Sequence, residues 1–138
     1  MLNHVPLIIC DDANSDDAKL ISAISEKWGF PVVSSSEKPT EGLYLQVQNG
    51  VLGLADAGEK KVNPVEVDFA SPASLYRKQH GGGRKEPIVK AIGLKGNEAW
   101  HVVDATPGLG RDAFVLVSVG CKVTMIERAP VVAALLED

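Results

Sequence analysis

Cysteine is scarce in this 138-residue chain: Cys10 and Cys121 are the only two, and each falls in an apolar run that reads as a strand. A pair so placed forms no disulfide framework and reads as two buried thiols of a cytoplasmic protein. Long hydrophobic stretches are lacking too, and none approaches the ~20 residues that a membrane span needs. No basic residue precedes the short apolar run in Met1-Leu2-Asn3-His4-Val5-Pro6, so a secretory leader is not expected. His4, His80 and His101 have no metal-ligand spacing to cysteines or acids and complete no Ser/His/Asp arrangement. Surface or packing roles are expected for them. Asp11-Asp12 and Asp16-Asp17 read as turn and helix-start acids rather than a metal site. Internal repeats are absent. What is present is ordinary, 45% apolar and 23% charged, as in a globular non-membrane protein. Its length suits one domain or two small ones sharing an interface.

The net charge of −4 hides an asymmetry. Residues 1–70 carry 5 Lys+Arg against 11 Asp+Glu, and residues 101–138 carry 3 against 5. Residues 71–100 reverse the sign, with 6 against 2. A basic stretch in an acidic chain points to a polyanion contact or to a solvated connector.

Val5 to Cys10 reads as a buried strand ended by Asp11-Asp12. Ser15 or Asp16 is expected to cap a helix running to Trp28, with Leu20, Ile21, Ile24 and Trp28 at helical spacing and Gly29 as its stop. Residues 31–42 read as a short strand and a loop. Leu43 to Gln48 alternates, Asn49-Gly50 follows, and Val51 to Leu54 returns, which predicts a hairpin with a type I′ turn. Val65 to Phe69 adds a strand. Residues 1–70 therefore predict a small α+β domain. Residues 71–100 predict a basic helical connector, with helical turns over 73–79, the glycine triplet 81–83, and a short helix from Glu86 to Ile92 stopped by Gly93. Trp28 and Trp100 are expected in a core or an interface.

From residue 101 the pattern becomes strand–helix–strand. Val102-Val103-Asp104 ends a strand, Thr106-Pro107-Gly108-Leu109-Gly110 is a tight turn, and Arg111 to Val119 is a helix closed by Gly120. Cys121 to Glu127 is the next strand, and Pro130 opens a final helix. That helix ends on Glu137-Asp138, acids at the negative end of its dipole, and its Val131, Val132, Leu135 and Leu136 need partners. Two strands and two helices do not complete a doubly wound sheet, so the chain is expected to be part of a longer protein.

The chemistry lies in Asp104 to Asp112. An acid ends the first strand, Gly108 and Gly110 let backbone approach a ligand closely, and the following helix points amides at it. Glu127, 17 residues after Gly110, ends the neighbouring strand, where an acid can accept hydrogen bonds from ribose hydroxyls. A cofactor containing a nucleoside is implied. Gly108-Leu109-Gly110-Arg111-Asp112-Ala113 also fits a dinucleotide fingerprint. Asp104 favours S-adenosylmethionine over that alternative, because a carboxylate beside the loop suits an ammonium group and repels a pyrophosphate. Arg111 is placed to pair with the methionine carboxylate.

Asp104 to Phe114, followed by Val119-Gly120-Cys121, Glu127-Arg128 and Pro130 to Leu136, closely resembles the bacterial ribosomal RNA small-subunit methyltransferase J family. So do Gly81-Gly82-Gly83-Arg84 and Lys90 to Gly96 upstream. The resemblance is tight over about residues 68–138 and loose before them. It implies an α/β protein whose residues 101–138 are the first two βα units of a Rossmann-like methyltransferase domain, truncated, with the sheet incomplete. It implies S-adenosylmethionine as cofactor, contacted by Arg111, Asp112, Glu127 and Arg128 beside Asp104, Gly108 and Gly110. It also implies 16S ribosomal RNA or the small subunit as partner, methylated at the exocyclic N2 of a guanosine, with the catalytic residues beyond residue 138. Pro107 departs from the family pattern, in which a small residue such as alanine is expected, and it removes a backbone donor from the loop.

Arg77, Lys78, Arg84 and Lys85, with Lys90 and Lys95, are candidates for RNA phosphates. No aromatic stacking platform is interleaved with them, Tyr76 being the nearby aromatic residue. The alternatives are a nicotinamide-dependent oxidoreductase fragment and a non-catalytic binding or assembly module. An unpaired sheet edge predicts some self-association under any of these readings. No metal is expected.

Overall fold

The computed structural model describes residues 4–138; Met1, Leu2 and Asn3, where the leader reading begins, lie outside the described residues. The chain forms two compact units, one reaching to Val67 and joined by Ala129–Asp138, the other Asp68–Arg128. The first contains β1 (Leu7–Ile9), α1 (Ser15–Trp28), β2 (Val32–Ser34), β3 (Leu43–Gln48), β4 (Val51–Asp56) and β5 (Val65–Glu66). The second contains α2 (Pro72–His80), α3 (Pro87–Ile92), β6 (His101–Asp104), α4 (Arg111–Ser118) and β7 (Lys122–Met125). The last helix, α5 (Pro130–Glu137), belongs to the first unit.

In the first unit the strands run in the order β2-β1-β3-β4-β5, with β1 parallel to both its neighbours and the rest antiparallel. The β3–β4 hairpin turns on Asn49 and Gly50 at φ 52° and 77°, the two positive values a type I′ turn requires. Its register pairs Leu45 with Leu54 and Val47 with Leu52, so the apolar side chains share one face. α1 packs on β1 and β3, and α5 packs on β4 and α1. Leu7, Leu45, Leu52, Ile21 and Leu135 are all but sealed from solvent. Each such side chain contributes about 1.5–3 kcal/mol on burial.

Three expectations are corrected here. The cap of α1 is Asn14, not Ser15 or Asp16: Asn14 holds an extended conformation and its side chain accepts the Asp17 N–H at 2.8 Å. Cys10 is exposed, because β1 ends at Ile9 and the chain turns at once, Ala13 N–H reaching Cys10 C=O at 3.0 Å. The strand expected over Val65 to Phe69 is limited to Val65–Glu66.

The last helix keeps its expected start but finds its partners in the first unit's sheet rather than beside the second unit's strands. Its terminal acids are both used. Glu137 pairs with Lys27 of α1, and the Asp138 carboxylate accepts the Leu52 N–H of β4 at 2.8 Å. A carboxylate here satisfies a strand donor, which offsets its unfavourable position at the helix end.

Asp17 is the one buried charged residue among those described. Its Oδ1 accepts the Gly50 N–H at 2.8 Å, and its Oδ2 receives the Asn14 amide at 3.3 Å. One carboxylate thus ties the start of α1 to the tip of the hairpin. Asp17→Ala is expected to lower the urea midpoint of the chain by an amount equivalent to about 1.5 kcal/mol. Asp17→Asn, which keeps a carbonyl acceptor, should lose less, and equal midpoints for Asp17→Ala and the parent would show that solvent replaces this clamp.

Candidate functional site

β6 and β7 are parallel neighbours, with Asp104 opposite Met125. Parallel strands need a crossover, and α4 supplies it. The Ile126 N–H extends the pairing by donating to Asp104 C=O at 2.8 Å, so both strands end level at one rim. The core beneath is Val89 of α3, Leu116 of α4 and Cys121, flanked by Val102, Val123 and Ile92. Cys121 is buried as expected.

At the rim Asp104 closes its own turn, Oδ1 accepting the Thr106 N–H at 3.0 Å. Pro107 is buried and its carbonyl accepts the Gly110 N–H at 2.8 Å. Proline therefore fits this turn, which uses its acceptor and not the donor it lacks. Gly108 and Gly110 stand at φ 54° and 75°, conformations that side chains rarely adopt. A Cβ added at Gly108 would meet nothing within 4 Å, so open space lies before the turn. Gly110 C=O accepts the Phe114 N–H at 2.8 Å and starts α4, and no side chain caps its first-turn amides. Arg111 and Asp112 are exposed on that first turn, and half-buried Glu127 with exposed Arg128 follows β7 directly. The fold thus brings the expected rim residues, Asp104, Gly108, Gly110, Arg111, Asp112, Glu127 and Arg128, to the ends of two adjacent strands and the helix between them.

These residues suit a cofactor that joins an amino acid to a nucleoside. The uncapped amides and the positive-φ glycines allow close backbone approach, and carboxylates stand at both strand ends. No group of three His, Cys, Asp or Glu able to hold a metal occurs among the described residues. His101 instead reaches across the strands, Nε2 lying 2.8 Å from Thr124 Oγ1.

The basic segment divides in two. Arg77 and Lys78 on α2, and Lys85 beyond it, are exposed. Arg84 turns inward, its Nη2 donating to Glu98 C=O and to Val119 C=O, each at 3.2 Å, with Nη1 enclosed. A guanidinium on Val119 C=O, the carbonyl that caps α4, is favourable both as hydrogen bonding and with the helix dipole. Arg84 is therefore a strut of this unit, a correction to its candidacy for phosphate. Two aromatic pairs escaped the sequence reading. Phe69 stacks on Phe114 of α4 at 5.2 Å, and Tyr76 stacks on His80 at 4.2 Å, a pair whose i, i+4 spacing was the available signal. Arg84→Met is expected to speed hydrogen exchange of the Gly120 and Cys121 amides about tenfold through loss of the two carbonyl contacts. Unchanged protection there would show that the strut carries no stability.

Comparison with known proteins gives a consistent picture. A family model described as "Putative SAM-dependent methyltransferase" matches residues 23–138. Ribosomal RNA small subunit methyltransferase J of Alteromonas mediterranea is 83% identical over 138 residues, which is 100% of this chain and 54% of that protein. The protein of the same name from Colwellia psychrerythraea is 44% identical, over 99% of this chain and 51% of its own length. The crystal structure of a SAM-dependent methyltransferase from Neisseria gonorrhoeae superposes with a TM-score of 0.62 at 38% identity, covering 96% of this chain and 50% of that one. The chain spans about half the length of the curated relatives it matches. On the family match across most of its residues, the chain belongs to the SAM-dependent methyltransferase family.

Proposed function

We propose that this chain is the cofactor-binding half of an S-adenosylmethionine-dependent methyltransferase that modifies small-subunit ribosomal RNA at the exocyclic N2 of a guanosine. The carrying observation is the rim itself: two carboxylates and two positive-φ glycines around the uncapped start of α4. The names of the relatives support ribosomal RNA of the small subunit as substrate, and the reading carries a cytoplasmic location with it.

In this reading Glu127 accepts hydrogen bonds from the ribose hydroxyls, Arg111 pairs with the methionine carboxylate, and Asp104 faces the ammonium group. Asp112 and Arg128 complete the contacts at the helix start and the second strand end. Gly108 and Gly110 admit the ligand against bare backbone. When bound, the sulfonium supplies an activated methyl group. The guanine amine is a weak nucleophile because its lone pair is delocalised into the ring. Rate then depends on orientation, and the protein's task is to hold the amine in line. The groups that accept the amine's hydrogen bonds are assigned to the part of the relatives that this chain does not span. Arg77, Lys78 and Lys85 are proposed to take RNA phosphates. Val103 and Ile126, both exposed at the two-stranded sheet, are the proposed route of self-association.

Calorimetric titration with S-adenosylhomocysteine, with NAD as control, tests the cofactor assignment on this chain and on its 83% identical relative. S-adenosylhomocysteine is expected to bind, and Glu127→Ala to weaken it about tenfold or more. Saturable NAD binding without S-adenosylhomocysteine would replace the reading by the dinucleotide alternative. Binding of neither ligand by either protein would remove it.

A further inference from the structure

The helix α2 has the composition of an anion-binding face and the exposure of an unpartnered one. Its nine residues, Pro72–His80, include Arg77, Lys78 and His80 and no acid. None of the nine is buried. Leu75 is 47% exposed and Tyr76 64% exposed, so the helix shows its aromatic side chain to solvent instead of a core.

The two ends of this helix are defined locally. Ser71 caps it, accepting the Ser74 N–H at 3.2 Å, and Ser74 Oγ donates to Asp68 C=O at 3.0 Å. At the other end a Cβ on Gly81 would stand 2.3 Å from Arg77 C=O, so only glycine lets the chain leave so tightly. Phe69, one turn before the helix, stacks on Phe114 of α4 at 5.2 Å and 8°. Within this unit the entry to α2 is therefore packed against the helix that rises from the glycine turn.

On this helix Tyr76 and His80 stack at 4.2 Å and 19°, and His80 Nδ1 lies 3.2 Å from Tyr76 C=O, which orients the imidazole. One face of the phenol ring is taken by the imidazole, and the exposure of Tyr76 leaves the other open. An oriented aromatic face with Arg77 on its adjoining flank, i, i+3 from His80, is an arrangement that binds an unstacked nucleobase and a neighbouring phosphate, whereas Lys78 falls on the far side of the helix. A duplex cannot use it, because its bases already stack on each other. We propose that α2 is a single-stranded RNA platform on which one unstacked base packs against Tyr76, backed by His80, with Arg77 on the adjoining phosphate. The proposal rests on the reading of this chain as part of an RNA methyltransferase, whose reaction needs the target base out of its stack. A protein partner is the poorer fit, since three basic groups without an acid favour a polyanion.

Fluorescence anisotropy with a labelled single-stranded RNA of about 12 nucleotides, and with its duplex, tests the platform on this chain and on the 83% identical relative. The single strand is expected to bind more tightly than the duplex. Tyr76→Ala is expected to weaken single-strand binding about tenfold with an unchanged salt slope, while Tyr76→Phe and Tyr76→Trp retain it. Arg77→Ala should instead reduce the log–log salt slope by about 0.7. Circular dichroism of each variant guards against unfolding, and Tyr76→Phe separates loss of the ring from loss of the fold. Equal affinity of Tyr76→Ala and parent would overturn the platform, as would equal loss in Tyr76→Phe. S-adenosylhomocysteine binding, measured alongside, should be the same in all variants. Its absence throughout would sink the methyltransferase reading while leaving the RNA result to stand or fall alone.

Discussion

A parallel pair of strands cannot be closed by a tight turn, and the rim of the second unit follows from that constraint. The chain must leave β6, cross over through α4 and return as β7. The bond from Ile126 N–H to Asp104 C=O levels the two strand ends. Once they are level, Asp104 ends one strand and Glu127 follows the end of the other, and the turn at Pro107 to Gly110 leads into α4 between them in sequence. None of these residues carries the site alone. Their common placement comes from the crossover, which the core of Val89, Leu116 and Cys121 holds from beneath.

Much of this was readable in the residues. Asn49-Gly50 announced a type I′ hairpin, and Gly29 and Gly93 marked helix ends that indeed adopt left-handed caps. Such signals are local, arising from backbone freedom at one or two positions. What the residues left open depended on distant partners. Asn14 rather than Ser15 caps α1 because it is the residue in the extended conformation whose side chain accepts the Asp17 N–H, and Asp17 is in turn engaged with the hairpin. The apolar stripe of α5 showed that a face must be buried, but nothing in that stripe names β4 and α1 as what covers it. Cys10 went the other way, since an apolar run does not reveal at which residue pairing stops.

The basic segment shows the same limit for charge. Arg77 and Arg84 are indistinguishable by composition, yet one lies exposed on α2 and the other spends its guanidinium on the carbonyls of Glu98 and Val119. Charge counts describe how a segment appears to an ion at long range. Only the backbone shows which cations remain available at short range.

The two units are not successive along the chain. The first opens near the N-terminus, is interrupted after Val67, and resumes at Ala129. Residues 68–128 thus fall, in sequence, between the two parts of the first unit. This affects the order of events during synthesis. The β6–α4–β7 crossover has all its residues once Met125 has emerged, whereas Leu52 must wait for Asp138 to satisfy its amide. A chain growing from its N-terminus can therefore pair β6 with β7 before the Leu52 amide meets Asp138.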